Sequence, residues 1–175
     1  MAIDNDSALY IMGDMKDPRL RPSLVAKLRN ATNATIQALQ GREPKSVIRL
    51  AINYGGHQQI VLAAQHLAEA GLYGELAPQD ITKETVQHYI ANGCNDNEGF
   101  PSAPAIPDPD SVARTGGDQR NSGFLTWSVS YSEWYYTDTL LPDCDNRCLY
   151  KSLLYYAGSD RRFGCDPAKE YESTV

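Results

Sequence analysis

Two arginines, Arg114 and Arg120, bracket the turn Thr115-Gly116-Gly117, and Ser122 follows the second arginine by two residues. Guanidiniums offer bidentate, charge-assisted donors to phosphate oxygens, paired glycines let backbone N–H groups approach an anion closely, and the hydroxyl adds one more donor. The run can therefore cradle a diphosphate. It reads equally as an ordinary surface turn with solvated arginines, because short glycine turns are common. Glu133, in Tyr131-Ser132-Glu133-Trp134-Tyr135-Tyr136-Thr137-Asp138, is either a helix-surface charge or a hard-cation ligand near the anion pocket. Mg2+ on a diphosphate usually takes only one or two protein carboxylates, so the spacing leaves both open. Trp127, Tyr131, Trp134, Tyr135 and Tyr136 read as packing rather than a base-stacking platform, since no Lys or Arg is interleaved among them.

Cys144-x-x-x-Cys148 invites a metal or redox reading. Zinc sites usually show two such pairs, or one pair with a His pair, and no His follows His88. Reduced, unpaired thiols are the expectation for Cys94, Cys144, Cys148 and Cys165.

The elements that must position these groups show in the periodicity. Ala8 to Met12 is a short apolar run stopped by Gly13-Asp14, as in a buried strand opening into a loop. From Pro22, residues Leu24, Leu28, Ala31, Thr35 and Leu39 keep helical spacing up to Gly41. Val47 to Ile52 is apolar on both parities, the pattern of a strand covered on both faces. Gly55-Gly56 ends it, and a helix follows with Ile60, Ala64, Leu67 and Ala68 on one face and a stop at Gly71. Thr82 is expected to cap another helix ending near Gly93, with Ile81 and Val86 as a staple. Asn95 to Pro109, with four prolines, is expected to be a surface loop. Strand, helix, strand, helix argues for an α/β fold with a mainly parallel sheet flanked by helices, as one domain over residues 1–175.

The 175 residues carry 16 Lys plus Arg against 22 Asp plus Glu, a net charge of −6, which argues against a nucleic-acid partner. The longest apolar run, Ile60 to Ala64, is far too short to span a membrane, and nothing at the N-terminus reads as an export signal, so a cytoplasmic location is expected.

The run Arg114-Thr115-Gly116-Gly117-Asp118-Gln119-Arg120-Asn121-Ser122-Gly123-Phe124-Leu125-Thr126-Trp127, followed by Tyr131 to Asp143, closely resembles the C-terminal signature of the cis-prenyltransferases, the undecaprenyl and decaprenyl diphosphate synthases. Asn53-Tyr54-Gly55-Gly56, Pro107-Asp108-Pro109-Asp110 and Arg161-Arg162-Phe163-Gly164 fall in that family's order. The resemblance implies a parallel-sheet α/β transferase, usually dimeric. It condenses isopentenyl diphosphate with an allylic diphosphate, using Mg2+, to make a Z-polyprenyl diphosphate, with peripheral membrane contact through the lipid product. Arg114, Arg120 and Ser122 then look like the isopentenyl diphosphate ligands and Glu133 like the Mg2+ ligand.

The sequence departs from the family pattern at Asp118, usually Glu, at Gly123, usually Asn, and at His57, usually Arg. A stretch like the family's opening His-x-x-x-Ile-Met-Asp-Gly-Asn-Gly-Arg-Trp-Ala, which grips the allylic diphosphate, does not occur in these residues. Ile11-Met12-Gly13-Asp14 matches a later strand end instead. The expectation is an N-terminally truncated family fold that retains the isopentenyl half-site, or alternatively a non-catalytic partner subunit.

Overall fold

The computed structural model describes residues 6–93, 99–104 and 106–163. Cys94, Cys165, Gly164 and the start of the expected 95–109 loop lie outside the described residues. The chain groups into two compact units, Met1–Ile106 and Pro107–Val175.

In the first unit, β1 (Ser7–Met12) and β2 (Ser46–Ala51) pair in parallel, Ser7 opposite Ser46 and Met12 opposite Ala51. Helix α1 (Pro22–Ala38) makes the crossover, and its Pro in the first turn suits a position where the N–H has no helical partner. The helix is keyed to the sheet by a polar contact. The Leu9 N–H donates to Thr35 Oγ1 at 3.1 Å, and that hydroxyl donates to the Thr32 carbonyl at 2.8 Å. The face that packs is thus Thr32, Thr35 and Leu39, whereas Leu24 is exposed.

Two expectations about this unit are corrected. β2 is not covered on both faces: Ile48 and Leu50 are 44% and 42% exposed. Among the described residues the sheet here has two strands and α1 packs on β1, so alternation leaves one side of β2 without a second layer from those residues. Helix α2 (Gly56–Leu72) buries Gly56, Gln59, Ala63 and Ala70, and leaves Ala64 and Ala68 exposed. The buried face is rotated because Gln59 goes inward, its amide donating to the Ile90 carbonyl at 2.8 Å and its oxygen accepting from the Tyr54 hydroxyl. Ile90 belongs to α3 (Lys83–Gly93), which packs on α2 and is capped as expected, with the Thr85 N–H donating to Thr82 Oγ1 at 3.2 Å. At 1% exposure Ile90 contributes about 1.5–3 kcal/mol of burial to this seam.

In the second unit, β3 (Ser111–Thr115) and β4 (Glu133–Thr137) form another parallel pair, Ser111 opposite Glu133 and Arg114 opposite Tyr136. The crossover between them, residues 116–132, is a chain of turns, with Val129 buried beneath it. After a short 3-10 turn at Leu141–Asp143, α4 (Asn146–Ala157) packs on β3 and β4. Asp145 caps α4, accepting from the N–H groups of Arg147 at 2.9 Å and Cys148 at 3.1 Å. Asp145→Ala should cost about 1 kcal/mol of stability, read as a lower denaturation midpoint with unchanged slope.

Candidate diphosphate site

Arg114 is the next-to-last residue of β3 and its side chain is 24% exposed. One nitrogen donates to Ser122 Oγ at 3.2 Å and to the Arg120 carbonyl, and the other donates to Asp118 Oδ2 at 3.4 Å. The same Asp118 oxygen accepts from Arg120 at 2.6 Å. The structure thus brings Arg114, Arg120 and Ser122 together, with Asp118 as the bridge between the two guanidiniums. Two cations and one carboxylate leave the group net positive. Ser122, acting as acceptor toward Arg114, still has its O–H to give.

The glycines act differently from the expectation that their N–H groups face an anion. Gly116 donates to the Thr139 carbonyl at 2.9 Å and Gly117 to the Thr137 carbonyl at 3.0 Å, so both donors are spent on the end of β4. Their contribution is conformational, with φ of 89° and 83°, a region that disfavours side chains. At Gly123, where the family pattern has Asn, the turn is still held by a side chain. Asn121 pins it, its Oδ1 accepting from the Gly123 N–H at 2.6 Å and its amide donating to the Phe124 carbonyl at 3.2 Å.

Glu133 opens β4, its N–H donating to the Asp110 carbonyl at 2.9 Å, rather than lying on a helix surface. It sits opposite Ser111, three positions from Arg114 in the ladder, which is about 10 Å of strand. Alternation also turns the two side chains to opposite faces. The ladder therefore does not place Glu133 beside the arginines. Its half-buried carboxylate has no ion pair among the described residues, and no cluster of three or more His, Cys, Asp and Glu capable of holding a metal occurs among them.

A link that spacing alone did not reveal ties the lead-in to the chain's end. Arg161 pairs with Asp110, donates to the Tyr131 carbonyl at 3.3 Å and lies 4.5 Å from the centre of the Phe163 ring. The Asp110 carboxylate beside it holds the Arg161 guanidinium in its charged form, pushing its pKa further up. Of the aromatics expected to pack, Trp134 stacks on Tyr136 at 5.7 Å and Tyr135 meets Tyr155 at 5.6 Å, while Tyr131 lies 5.9 Å from Phe163 but is 53% exposed, and none of the five is fully buried. Cys144 and Cys148, expected as free thiols, are joined in a disulfide with Cα atoms 5.3 Å apart. The turn into α4 brings the two residues within bonding reach, a proximity that the bare spacing did not disclose.

In the first unit, the two motif echoes meet at the carboxyl ends of β1 and β2. The Asp14 N–H donates to the Asn53 carbonyl at 3.2 Å, while the Asn53 amide donates to the Asp14 carbonyl at 3.0 Å and to Asp17 Oδ2 at 3.2 Å. The Arg19 guanidinium, with Asn53 adding to it, holds the Asp17 carboxyl well below the usual carboxylate range. Such strand ends are where open parallel sheets place ligands.

The Prenyltransf family model, that of undecaprenyl diphosphate synthases, matches residues 1–164. The chain belongs to the undecaprenyl diphosphate synthase family. Among curated relatives, the ditrans,polycis-undecaprenyl-diphosphate synthase ((2E,6E)-farnesyl-diphosphate specific) of Pseudomonas syringae pv. tomato is 36% identical over 161 residues, covering 92% of this chain and 57% of the relative. The enzyme of the same name from Yersinia pseudotuberculosis is 39% identical over 156 residues, covering 89% and 55%. Among solved structures, lavandulyl diphosphate synthase from Lavandula x intermedia, in complex with dimethylallyl diphosphate, superposes with a TM-score of 0.72 at 28% identity, covering 92% of this chain and 61% of that one. The cis-prenyltransferase α/β fold is shared. This chain spans a little over half the length of the curated relatives it matches. No helix among the described residues is long and apolar enough to cross a membrane.

Proposed function

We propose that this chain carries the isopentenyl diphosphate site of a cis-prenyltransferase, which condenses isopentenyl diphosphate with an allylic diphosphate into a Z-polyprenyl diphosphate. The observation that carries this reading is the convergence of Arg114, Arg120 and Ser122, with Asp118 fixing the two guanidiniums in advance. A diphosphate, with more negative charge than one carboxylate, competes for those donors and takes the free Ser122 O–H as well. Holding the isopentenyl unit by its diphosphate orients its alkene toward the allylic carbon, and such positioning supplies much of the lowering of the barrier. The allylic substrate belongs to the class that the relatives' names give, farnesyl or dimethylallyl diphosphate. Those names support a catalytic role over that of a non-catalytic partner subunit.

Glu133 is the Mg2+ ligand in this reading. The chemistry of a half-buried carboxylate without an ion pair among the described residues suits the ion, because diphosphate and water oxygens complete most of an octahedral shell. With Glu133 about 10 Å of strand from Arg114 and on the other face of the ladder, the reading requires the diphosphate and its ion to span from the arginine turn to the start of β4. The ion would neutralise charge on the isopentenyl diphosphate, which stays on the product, and so steady its binding. Association as a homo- or hetero-dimer belongs to the same proposal, as do a cytoplasmic location and peripheral contact with membrane through the lipid product. Leu149, Tyr150, Leu153 and Leu154, all exposed on α4, offer an apolar face for association.

Calorimetric titration of isopentenyl diphosphate, with and without Mg2+, tests the reading. Binding is expected to the wild type in both conditions and to tighten with Mg2+. Glu133→Gln should keep the metal-free affinity, since the ladder separates it from the arginines, and lose the tightening. Absence of binding to the wild type would sink the assignment of the site; an undiminished Mg2+ effect in Glu133→Gln would remove Glu133 from it.

A further inference from the structure

We infer that Cys144 and Cys148 form a reversible dithiol–disulfide modification site that adjusts the diphosphate cradle. The inference rests on the diphosphate reading of Arg114, Arg120 and Ser122. The bond joins the last turn before α4 to the first turn of α4, and both residues are half-exposed, so a reducing thiolate can reach them. The ring it closes spans only five residues, the short end of loop-closure stabilisation. Asp145 caps α4 through two N–H groups, in bonds to which neither sulfur contributes. The helix therefore survives reduction.

Reduction acts on the segment 139–144. Thr139, at one end of it, accepts the Gly116 N–H at 2.9 Å, and a Leu140 methyl lies 4.0 Å from the place a Gly116 side chain would take. Cys144, at the other end, is held by the disulfide and by its N–H to the Leu141 carbonyl at 3.2 Å. With the bond intact, the carbonyl that fixes the glycine turn stands on a segment anchored to α4. With the bond cut, that segment keeps its 3-10 turn and the hydrogen bonds at Thr139 but loses its sulfur tie to the first turn of α4, and the turn that aims Arg114 and Arg120 gains freedom. Ordering it again on ligand binding costs affinity.

The chemistry is two-electron thiol–disulfide exchange with a dithiol reductant, either a small molecule or a dithiol oxidoreductase. One reductant thiolate attacks a cystine sulfur, the S–S bond breaks to give a mixed disulfide and one protein thiolate, and the second reductant thiol displaces the other protein sulfur. The protein ends with two thiols and the reductant as a disulfide.

The experiment uses the whole chain, equilibrated in dithiothreitol buffers of graded ratio of reduced to oxidised form. Alkylation with iodoacetamide and peptide mass mapping then read Cys144 and Cys148 separately from Cys94 and Cys165. The two residues should become alkylated together, and far-ultraviolet circular dichroism should be unchanged. Isopentenyl diphosphate titrations on the two forms should show about fivefold weaker binding when reduced, the small end of coupling between distinct sites. Cys144→Ser and Cys148→Ser should each match the reduced wild type and lose redox sensitivity. Equal affinity in the oxidised and reduced forms, or alkylation of either residue in the oxidised form, would overturn the inference. No binding in either form would instead overturn the diphosphate reading on which it rests.

Discussion

Replacing Arg114 and Arg120 together with alanine should weaken isopentenyl diphosphate binding by at least about a hundredfold. Each hydrogen-bonded charged contact is worth about 1.5–3 kcal/mol, and 1.4 kcal/mol is a factor of about ten in affinity. The two effects should not simply add, because both guanidiniums share one Asp118 oxygen, and removing either frees the other to move. Arg114 also organises the turn through the Arg120 carbonyl and Ser122, so Arg114→Ala loses position as well as charge. Arg114→Lys separates these: it keeps the charge but lacks the planar fork, and an intermediate loss is expected. Calorimetry on the three variants, each checked for native circular dichroism, decides the matter. Unchanged affinity in the double variant would mean that the two side chains are solvated surface charges.

Gly13→Ala should destabilise the first unit by about 3 kcal/mol or more, lowering the melting temperature by roughly 10 °C. Gly13 has φ of +117°, and a Cβ there would stand 2.0 Å from the Ile52 carbonyl oxygen. Backbone must move, and the backbone that would move carries the Asp14 N–H to Asn53 bond joining the strand ends. Gly74→Ala is the matched control. Its φ of +71° carries the conformational penalty, but nothing lies within 4 Å of the added carbon, so its cost should stay near 1 kcal/mol. Equal melting temperatures for the two variants would show that the close approach at Gly13 relaxes freely.

The order of strands and helices up to Gly93, the cap at Thr82 and the glycine turn between two arginines were legible in the sequence. Each depends on residues within a few positions of one another, where periodicity and backbone preference act directly. β3 and β4 were not read as strands, because their residues were weighed for chemistry and their pairing joins positions 22 apart. The rotation of α2 escaped for a related reason. Gln59 faces inward only because Tyr54 and the Ile90 carbonyl, from different elements, satisfy both ends of its amide.

The sequence by itself determined which groups could bind a diphosphate, since charge, fork geometry and hydroxyl chemistry belong to the residue type. Tertiary structure decided which of those groups are already engaged. It spent the N–H groups of Gly116 and Gly117 on Thr139 and Thr137, joined Arg114 to Arg120 through Asp118, folded Arg161 back to Asp110 and set Glu133 at the far end of the ladder from Arg114. A donor's partner is chosen by distance in space, and distance between residues twenty or fifty positions apart exists only once the chain has packed.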